Sequence, residues 1–189
     1  TLLAQVDSSI GGKTGINTKY GKNLIGTFCQ PNLVISDTKF LTSLKKREII
    51  CGYAEILKHS LIMNEKFFSY LDNNSKNILK LKKPFLEKAI FQSCLIKKKI
   101  IEKDEKEKSL RKILNLGHSF AHAYEASLSY SKKLNHGEAV ILGIVSSAKF
   151  SLQNNIINKK DYEEILLHIE NLNINLNLNY YFKKKNVNL

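Results

Sequence analysis

Cysteine is scarce in this sequence, and the few cysteines present form no paired motif. There are three among 189 residues, Cys29, Cys51 and Cys94, and no two of them make a C-x-x-C pair. An odd, dispersed set is typical of free thiols in a reducing compartment and not of a disulfide framework. We therefore expect a cytoplasmic protein.

Long apolar runs are also missing. No hydrophobic run reaches the roughly 20 residues that a membrane-spanning helix needs, and no signal peptide is visible, so no membrane partner is expected. The sequence starts at Thr1 instead of Met and continues directly into the apolar Leu2-Leu3-Ala4. Such a start is expected for a fragment that begins inside a fold and lacks its N-terminal part, where a targeting segment could lie.

Acidic residues are few relative to basic ones. The sequence has 17 Asp and Glu against 30 Lys and Arg, a net charge of +13 that would suit nucleic acid, a membrane surface or a small anion. However, the lysines are spread in short runs such as Lys97-Lys98-Lys99, Asn and Ile are abundant, and no basic motif is interleaved with aromatic residues. This pattern fits compositional drift better than a binding face, and we expect no nucleic-acid partner.

Hydrophobic residues make up 43% of the chain, which indicates a globular protein with one domain and part of another. Residues 1 to about 44 have the pattern of loops and strands, punctuated by glycines, and residues 32–37 after Pro31 predict a short buried strand. From about Lys45 the pattern becomes helical. The predicted fold is therefore mainly α: an α/β remnant at 1–44 followed by a helical domain at 45–189.

Several helices are predicted within that second domain. Ile49, Tyr53, Ile56 and Leu57 fall on one helical face, and Pro84 is placed to open another helix. Further helices are expected around 109–128 and at 137–154, where apolar residues on nearly all sides predict burial. A last helix is expected with Asp161 as its cap. Residues 171–179 alternate Asn with Leu or Ile, which is strand periodicity in a low-complexity segment.

The glycine-rich segment at 7–15 ends in Gly12-Lys13-Thr14, as a phosphate-binding P-loop does. A P-loop needs a glycine where Asp7 stands, and that carboxylate would repel a phosphate. A glycine turn that presents Lys13 to an anion remains possible, and Lys22-Asn23 offers a second cation beside an amide. The alternative is an ordinary glycine-rich turn with solvated lysines.

Three of the five histidines lie within nineteen residues, at His118, His122 and His136. Two imidazoles and one carboxylate form a common open zinc site, and Glu55, three residues before Lys58 on a predicted helix, could supply the carboxylate. Because His118 and His122 are four residues apart they share a helical face, which makes them the first geometric choice. The spacing does not decide which two histidines bind, and each could instead be a hydrogen-bonded core or surface residue.

Arg111 and Asn115 precede His118 by seven and three residues, which would place them on its side of one helix. An arginine there could hold a carboxylate or phosphate through two hydrogen bonds. The alternative is a surface arginine in a basic segment, and Lys97 is equally ambiguous when taken alone.

Taken together, these segments resemble the 3-dehydroquinate synthase family. The resemblance covers about residues 1–145 and rests on five blocks in the family's order. They are Gln5-Val6-Asp7-Ser8-Ser9-Ile10-Gly11-Gly12-Lys13-Thr14-Gly15, Gly21-Lys22-Asn23-Leu24-Ile25-Gly26, Gly52-Tyr53-Ala54-Glu55-Ile56-Leu57-Lys58, Leu114-Asn115-Leu116-Gly117-His118-Ser119-Phe120-Ala121-His122-Ala123 and His136-Gly137-Glu138-Ala139-Val140. The resemblance implies the end of an NAD-binding α/β domain followed by most of a helical metal-binding domain.

The resemblance also implies roles for residues. The ligands of one divalent metal, zinc or cobalt, would be Glu55, His118 and His136, while His122 would assist proton transfer. The NAD-binding positions would be Thr1, Lys13, Lys22, Phe40, Leu41, Thr42 and Ser43. The remaining substrate-binding and catalytic positions would be Asp7, Asn23, Lys58, Lys97, Arg111 and Asn115, and both Lys13 and Lys22 would meet the substrate as well as NAD.

The implied reaction converts the sugar phosphate 3-deoxy-D-arabino-heptulosonate 7-phosphate to 3-dehydroquinate and phosphate, in aromatic amino-acid biosynthesis. It proceeds by transient oxidation with NAD, elimination of phosphate, reduction, ring opening and aldol closure. The complete enzyme is expected to be a homodimer, and this chain alone is expected to be inactive. Three positions depart from the family pattern: Ala121 and Ser60 replace usual glycines, and the run at Lys184 lacks an aspartate.

Two other functions compete with this interpretation. One is a sister enzyme of the same superfamily, either another sugar-phosphate cyclase or a polyol dehydrogenase, with the same metal site. Lys97, Arg111 and Asn115 suit a substrate that bears a carboxylate and favour the dehydroquinate synthase. The other is a non-catalytic basic domain that binds nucleic acid, which would explain the charge but not Glu55, His118 and His136.

Overall fold

The structure is a computed structural model that describes residues 1–19 and 21–182; the side chains of Asn17, Lys22 and Asn23 are outside this description. The chain divides into two compact units, Thr1–Leu114 and the residues from Asn115 onward. The secondary structure is mostly helical, as the sequence predicts. Within the described residues no helix combines the length and the apolar character that crossing a membrane requires.

The first unit begins with a short π-helix, Ala4–Ser8, followed by a hairpin of two antiparallel strands, β1 (Lys13–Thr18) and β2 (Gly21–Phe28). Lys13 pairs with Phe28 and Ile16 with Ile25. A 3₁₀ helix follows at Thr38–Leu41, then the helices α1 (Lys46–Met63), α2 (Glu65–Leu79) and α3 (Phe85–Lys103). A second 3₁₀ helix, Leu110–Asn115, contains Leu114, the last residue of the unit.

Helix α1 is the centre of the first unit, and twelve consecutive residues, Ile49–Ser60, are buried. It packs against α2, α3 and the π-helix. The predicted burial of this face is confirmed, since Tyr53, Ile56 and Leu57 are fully buried, and burying an aliphatic side chain such as Ile56 or Leu57 stabilises the fold by about 1.5–3 kcal/mol. Gly52 permits this packing because a Cβ there would lie 2.5 Å from the side chain of Leu2.

The second unit contains α4 (His118–Ser127), α5 (His136–Gln153), α6 (Lys159–Glu170) and the short α7 (Leu178–Tyr181). Helix α5 packs against both α4 and α6. The predicted burial of α5 is confirmed over its first half, where Ala139 through Leu142 are all buried. Its start is fixed by a capping box in which the Asn135 side chain accepts from the Glu138 N–H, and the Glu138 side chain accepts from the Asn135 N–H.

Two predictions about local structure are wrong. Residues 32–37 form no strand, and Leu33 and Ile35 are 74% and 82% exposed, because an apolar run becomes a strand only where a partner strand takes its backbone hydrogen bonds. The alternating segment 171–179, whose strand periodicity carries little weight in a low-complexity segment, forms no strand. The cap of α6 is Asn158, whose side chain accepts from the Asp161 N–H at 2.8 Å, so Asp161 lies in the first turn.

The helix predicted around 109–128 is divided in two. A 3₁₀ helix ends at Asn115, and α4 begins at His118 after Gly117, whose φ of 78° lies in the left-handed region. The spacing predicts that Arg111 and Asn115 share a helical face with His118. This prediction is wrong, because no continuous helix joins them. By contrast, α3 begins directly after Pro84, in agreement with the sequence pattern.

Candidate active site

An ion pair between Asp7 and Lys97 joins the π-helix to α3 in the first unit. The Lys97 ammonium donates to Asp7 Oδ1 at 2.6 Å and also to the Asp7 backbone carbonyl. Burial would raise the pKa of Asp7, but the charges of Lys97 and Lys58 outweigh it and lower that pKa to about 2. Burial lowers the pKa of Lys97, and Asp7 opposes this shift. At neutral pH Asp7 is therefore an ionised carboxylate held by a largely buried ammonium.

Replacing Lys97 with methionine, which keeps the aliphatic stem but removes the charge, should raise the pKa of Asp7 above about 2. The folded-state pKa lies below the unfolded value of about 3.9, so the stability that this carboxylate contributes is present above about pH 4 and is lost as the pH falls toward 2. Carboxyl-carbon NMR titration of Asp7 measures the shift. An unchanged Asp7 pKa in Lys97→Met would contradict the assignment, and Lys98→Met, on the exposed side of α3, serves as the control.

Arg111 is nearly inaccessible, at 2% exposure, and part of its guanidinium is committed to the protein. Nη2 donates to the Gly11 carbonyl at 2.8 Å, and Nη1 donates to the Glu105 carbonyl. Its Cζ lies 5.6 Å from the centre of the Phe28 ring. Gly11 has a φ of 110°, and a Cβ there would lie 2.5 Å from Arg111 Nη2, so only glycine permits this close approach.

Four residues predicted to bind substrate line one cavity of about 700 Å³ in the first unit: Asp7, Lys13, Lys97 and Arg111. Lys13, the first residue of β1, is about half exposed and pairs with Glu107. The cavity wall therefore carries three cationic side chains and one carboxylate. Such a wall suits an anionic ligand, because charge-assisted hydrogen bonds are stronger than neutral ones.

Next to this cavity, α1 carries Glu55 and Lys58, three residues apart, buried and ion-paired. A carboxylate oxygen of Glu55, one of Asp7 and a ring nitrogen of His59 lie within 4.8 Å of one another. Because Lys58 and Lys97 each bring an ammonium to this cluster, we interpret it as ion-paired and not as a cation site in its own right. A carboxylate accepts several bonds, so pairing with Lys58 leaves Glu55 able to coordinate a metal.

The second unit places three histidines together. The His118 ring centre lies 5.5 Å from that of His122 and also 5.5 Å from that of His136. Two imidazoles on one zinc ion would each have a ring centre about 3 Å from the metal, which agrees with either separation. Ring spacing alone therefore does not distinguish the two pairs.

Contacts at the ring nitrogens distinguish the pair His118 and His122 from the pair His118 and His136. His118 Nδ1 lies 3.3 Å from the Leu116 carbonyl oxygen, and His136 Nδ1 lies 3.4 Å from Glu125 Oε1. In metal-binding histidines the ring nitrogen that faces away from the metal typically meets a carbonyl or carboxylate oxygen in this way. Within residues 1–19 and 21–182, no such acceptor lies at the exposed ring of His122. Within the second unit, these acceptors at Nδ1 thus lie at His118 and His136.

Close packing of α4 on α5 holds these histidines. A Cβ on Gly143 would lie 2.1 Å from the Gly117 carbonyl oxygen, so the turn before His118 rests directly on α5. Ala121, which departs from the family pattern, is fully buried in this contact. The other departure in the described part, Ser60, is satisfied because its hydroxyl donates to the Leu57 carbonyl at 2.7 Å.

The remaining predicted positions are dispersed. Thr1 Oγ1 accepts from the Ala4 N–H, Phe40 is 73% exposed, and Leu41 is in the core. The hydroxyls of Thr42 and Ser43 donate to backbone carbonyls within their own turn, and Asn115 ends a 3₁₀ helix with its side chain exposed. Three positions have side chains outside the described part of the chain, namely Lys22, Asn23 and Lys184.

Sequence reasoning missed three side chains that lie close to candidate residues within their own units. His59 is fully buried, with Nδ1 2.7 Å from Ser93 Oγ on α3, and Glu125 orients His136. A weak signal exists for each: His59 directly follows Lys58, Ser93 lies one helical turn before Lys97, and Glu125 is an acidic residue in the histidine-bearing helix.

The fold is that of enzymes that cyclise sugar phosphates. A 2-epi-5-epi-valiolone synthase from Streptomyces hygroscopicus, solved with NAD⁺ and Zn²⁺ bound, superposes with a TM-score of 0.85 at 25% identity, over 94% of this chain and 49% of that one. A 2-deoxy-scyllo-inosose synthase complexed with carbaglucose-6-phosphate, NAD⁺ and Co²⁺ superposes with a TM-score of 0.79 at 28% identity, over 96% of this chain and 51% of that one.

Sequence comparison narrows this class to one family. The family models for the N-terminal and C-terminal parts of 3-dehydroquinate synthase match residues 1–51 and 52–188. The 3-dehydroquinate synthase of Pelagibacter ubique is 65% identical over all of this chain and 51% of its own length, and that of Bartonella quintana is 48% identical over 90% and 45%. The chain belongs to the 3-dehydroquinate synthase family, and it spans about half the length of these relatives.

Proposed function

We propose that this chain is the metal- and substrate-binding half of a 3-dehydroquinate synthase, which converts 3-deoxy-D-arabino-heptulosonate 7-phosphate to 3-dehydroquinate and phosphate. Its cofactors are NAD and one zinc or cobalt ion, as the neighbouring structures with NAD⁺ and Zn²⁺ or Co²⁺ suggest. The complete protein acts in the cytoplasm as a homodimer. The predicted domain boundary near residue 45 stays a proposal. The two family models meet a few residues later, between residues 51 and 52.

One observation carries the proposal: Asp7, Lys13, Lys97 and Arg111 converge on a single cavity of about 700 Å³. The substrate carries a phosphate and a carboxylate, and three cations on one wall suit two anionic groups. Arg111 and Lys97 are nearly buried, so their charges act with little screening by water. Asp7 keeps Lys97 charged and in place.

The metal ligands we propose are Glu55 from the first unit and His118 and His136 from the second. The donor set is chemically suitable, since one carboxylate and two imidazoles suit zinc or cobalt and leave positions for substrate. The oxygens of Leu116 and Glu125 support the roles of His118 and His136, because each lies near the Nδ1 atom of its histidine and orients the ring. The exposed His122 is proposed to move a proton next to the site instead of binding the metal.

When bound, NAD supplies a transient hydride acceptor and the metal a Lewis acid that lowers the pKa of the substrate hydroxyl. The protein's contribution is binding and orientation. Lys13, Lys97 and Arg111 hold the anionic groups of the substrate, while Lys58 and Glu55, paired on α1, keep a fixed charge arrangement beside them. The fixed positions of these groups reduce the reorganisation needed during reaction.

A sister cyclase is the second candidate, since the two solved neighbours make other cyclised products. Identity favours the dehydroquinate synthase, at 65% for the Pelagibacter relative against 25% and 28% for those structures. A nearly buried arginine and lysine on the cavity wall also favour a substrate with a carboxylate in addition to its phosphate.

A substrate comparison on the complete protein tests the function. With NAD and zinc or cobalt, we expect phosphate release from 3-deoxy-D-arabino-heptulosonate 7-phosphate and a product identified as 3-dehydroquinate by mass spectrometry and NMR. A heptulose 7-phosphate that lacks the carboxylate is the matched control, for which kcat/KM should be at least about 100-fold lower, because the cationic cavity wall would lose one of the two anionic groups that it is proposed to bind. Preference for that control would instead identify a sister cyclase.

A further inference from the structure

The loop between α3 and the second 3₁₀ helix is tied to a single carboxylate. Asp104 directly follows α3, and its Oδ1 accepts from the Lys108 N–H at 2.9 Å, while its Oδ2 accepts from the N–H groups of Ser109 at 2.8 Å and Arg111 at 3.0 Å. These backbone hydrogen bonds, with that from Arg111 the largest contributor, lower the pKa of Asp104. Asp104 is thus an anionic acceptor for three backbone N–H donors of the loop.

The same loop delivers the guanidinium of Arg111 to the cavity. Its backbone N–H is held by Asp104, and its side chain donates to the carbonyls of Glu105 and Gly11. The arginine is therefore fixed at both ends, its backbone by the carboxylate and its side chain by two carbonyls. A guanidinium has five N–H groups, so those used in this way leave others to meet a ligand.

We propose that Asp104 is a positioning residue that holds Arg111 in the geometry needed to bind an anionic group of the substrate. The proposal rests on the function proposed above. Two-point recognition of a carboxylate or phosphate by arginine depends on the orientation of the planar guanidinium, and small displacements are costly. Without Asp104, three N–H groups of the loop lose their shared acceptor, and the backbone of Arg111 is no longer tied to the end of α3.

Steady-state kinetics of the complete protein provide the first test. Asp104→Ala should raise KM for the heptulosonate phosphate about 10-fold or more, with a smaller change in kcat, because substrate positioning is what is lost. Asp104→Asn, which keeps the size and one acceptor oxygen, should give an intermediate increase. Asn158→Ala removes the cap of α6 in the second unit and is the control, expected to lower the melting temperature without raising KM.

A double-variant cycle separates positioning from a general structural role. If Asp104 acts through Arg111, the variant with both residues replaced by alanine should have a KM no higher than that of Arg111→Ala alone. If the two increases multiply instead, Asp104 acts independently of Arg111 and the proposal is overturned. An unchanged KM in Asp104→Ala would overturn it as well.

Two measurements that need no turnover distinguish this proposal from the function on which it rests. Amide hydrogen exchange at Lys108, Ser109 and Arg111 should accelerate in Asp104→Ala, and unchanged protection would overturn the proposal. The second is the dissociation constant of the heptulosonate phosphate without NAD. If the wild-type protein binds this compound but never converts it, only the proposed reaction is overturned. The role of Asp104 is then decided by binding alone, since Asp104→Ala is expected to bind the compound more weakly. No binding by the wild type overturns both.

Discussion

Replacing His136 with alanine in the complete protein is expected to lower zinc or cobalt affinity by more than about 100-fold and to remove activity with it. Loss of a residue that only orients a ligand typically costs 10- to 100-fold, so loss of a ligand should cost more. His136 is the first residue of α5, and the capping box of Asn135 and Glu138 fixes that helix start. The variant should therefore fold normally, and metal content of the dialysed protein together with chelator competition measures the effect.

His122→Ala is the matched control, because its ring is as far from His118 as that of His136 is. We expect this variant to retain the metal and to lose about 10²–10⁴-fold in kcat, the range for removal of a proton-transfer group. Metal loss in His122→Ala with retention in His136→Ala would show that the pair four residues apart, His118 and His122, binds the metal. Glu55→Gln, which keeps the volume of a buried side chain, should resemble His136→Ala.

Local patterns predicted much of the helical structure, because apolar residues that pack into the core recur in the sequence at the helical period. The apolar face of α1 and the apolar first half of α5 are examples. Helix α2 was missed although it carries such a face, with Phe67, Leu71 and Ile78 buried, and although the Asn64 side chain caps it by accepting from the Phe67 N–H at 3.0 Å. The exposed run at 32–37 shows the converse, since apolar composition alone did not supply a partner strand.

The candidate site residues could not be grouped from their sequence spacing, because they lie close together only in the folded chain. The spacing of the histidines favoured His118 with His122, whereas the acceptors at Nδ1 favour His118 with His136, and these acceptors are a backbone carbonyl and a carboxylate eleven residues before His136. The contact of Arg111 with Gly11 spans 100 residues and requires a left-handed glycine. Only the resemblance to a family brought such distant residues together before the fold was known.

The second large effect is expected from Gly143→Ala, which should destabilise the second unit although it improves helix propensity. Alanine is favoured over glycine by about 1 kcal/mol within a helix such as α5. Against this, the new Cβ would lie 2.1 Å from the Gly117 carbonyl oxygen and 3.1 Å from the Ala121 N, both backbone atoms that a rotamer change cannot move. Overpacking typically costs about 1–3 kcal/mol, and displacing backbone places the cost at the upper end or beyond.

We therefore expect a net loss of about 2 kcal/mol or more in the free energy of unfolding of this unit, with faster amide exchange in α4 and α5. Metal affinity should fall as well, because Gly117 directly precedes His118 and any shift of that turn moves this proposed ligand. Ser147→Ala, on the same helix, is the control; it adds no atom and should change stability by less than about 0.5 kcal/mol. A Gly143→Ala protein as stable as the wild type would mean that α4 and α5 are not packed as closely as the Gly117–Gly143 contact requires.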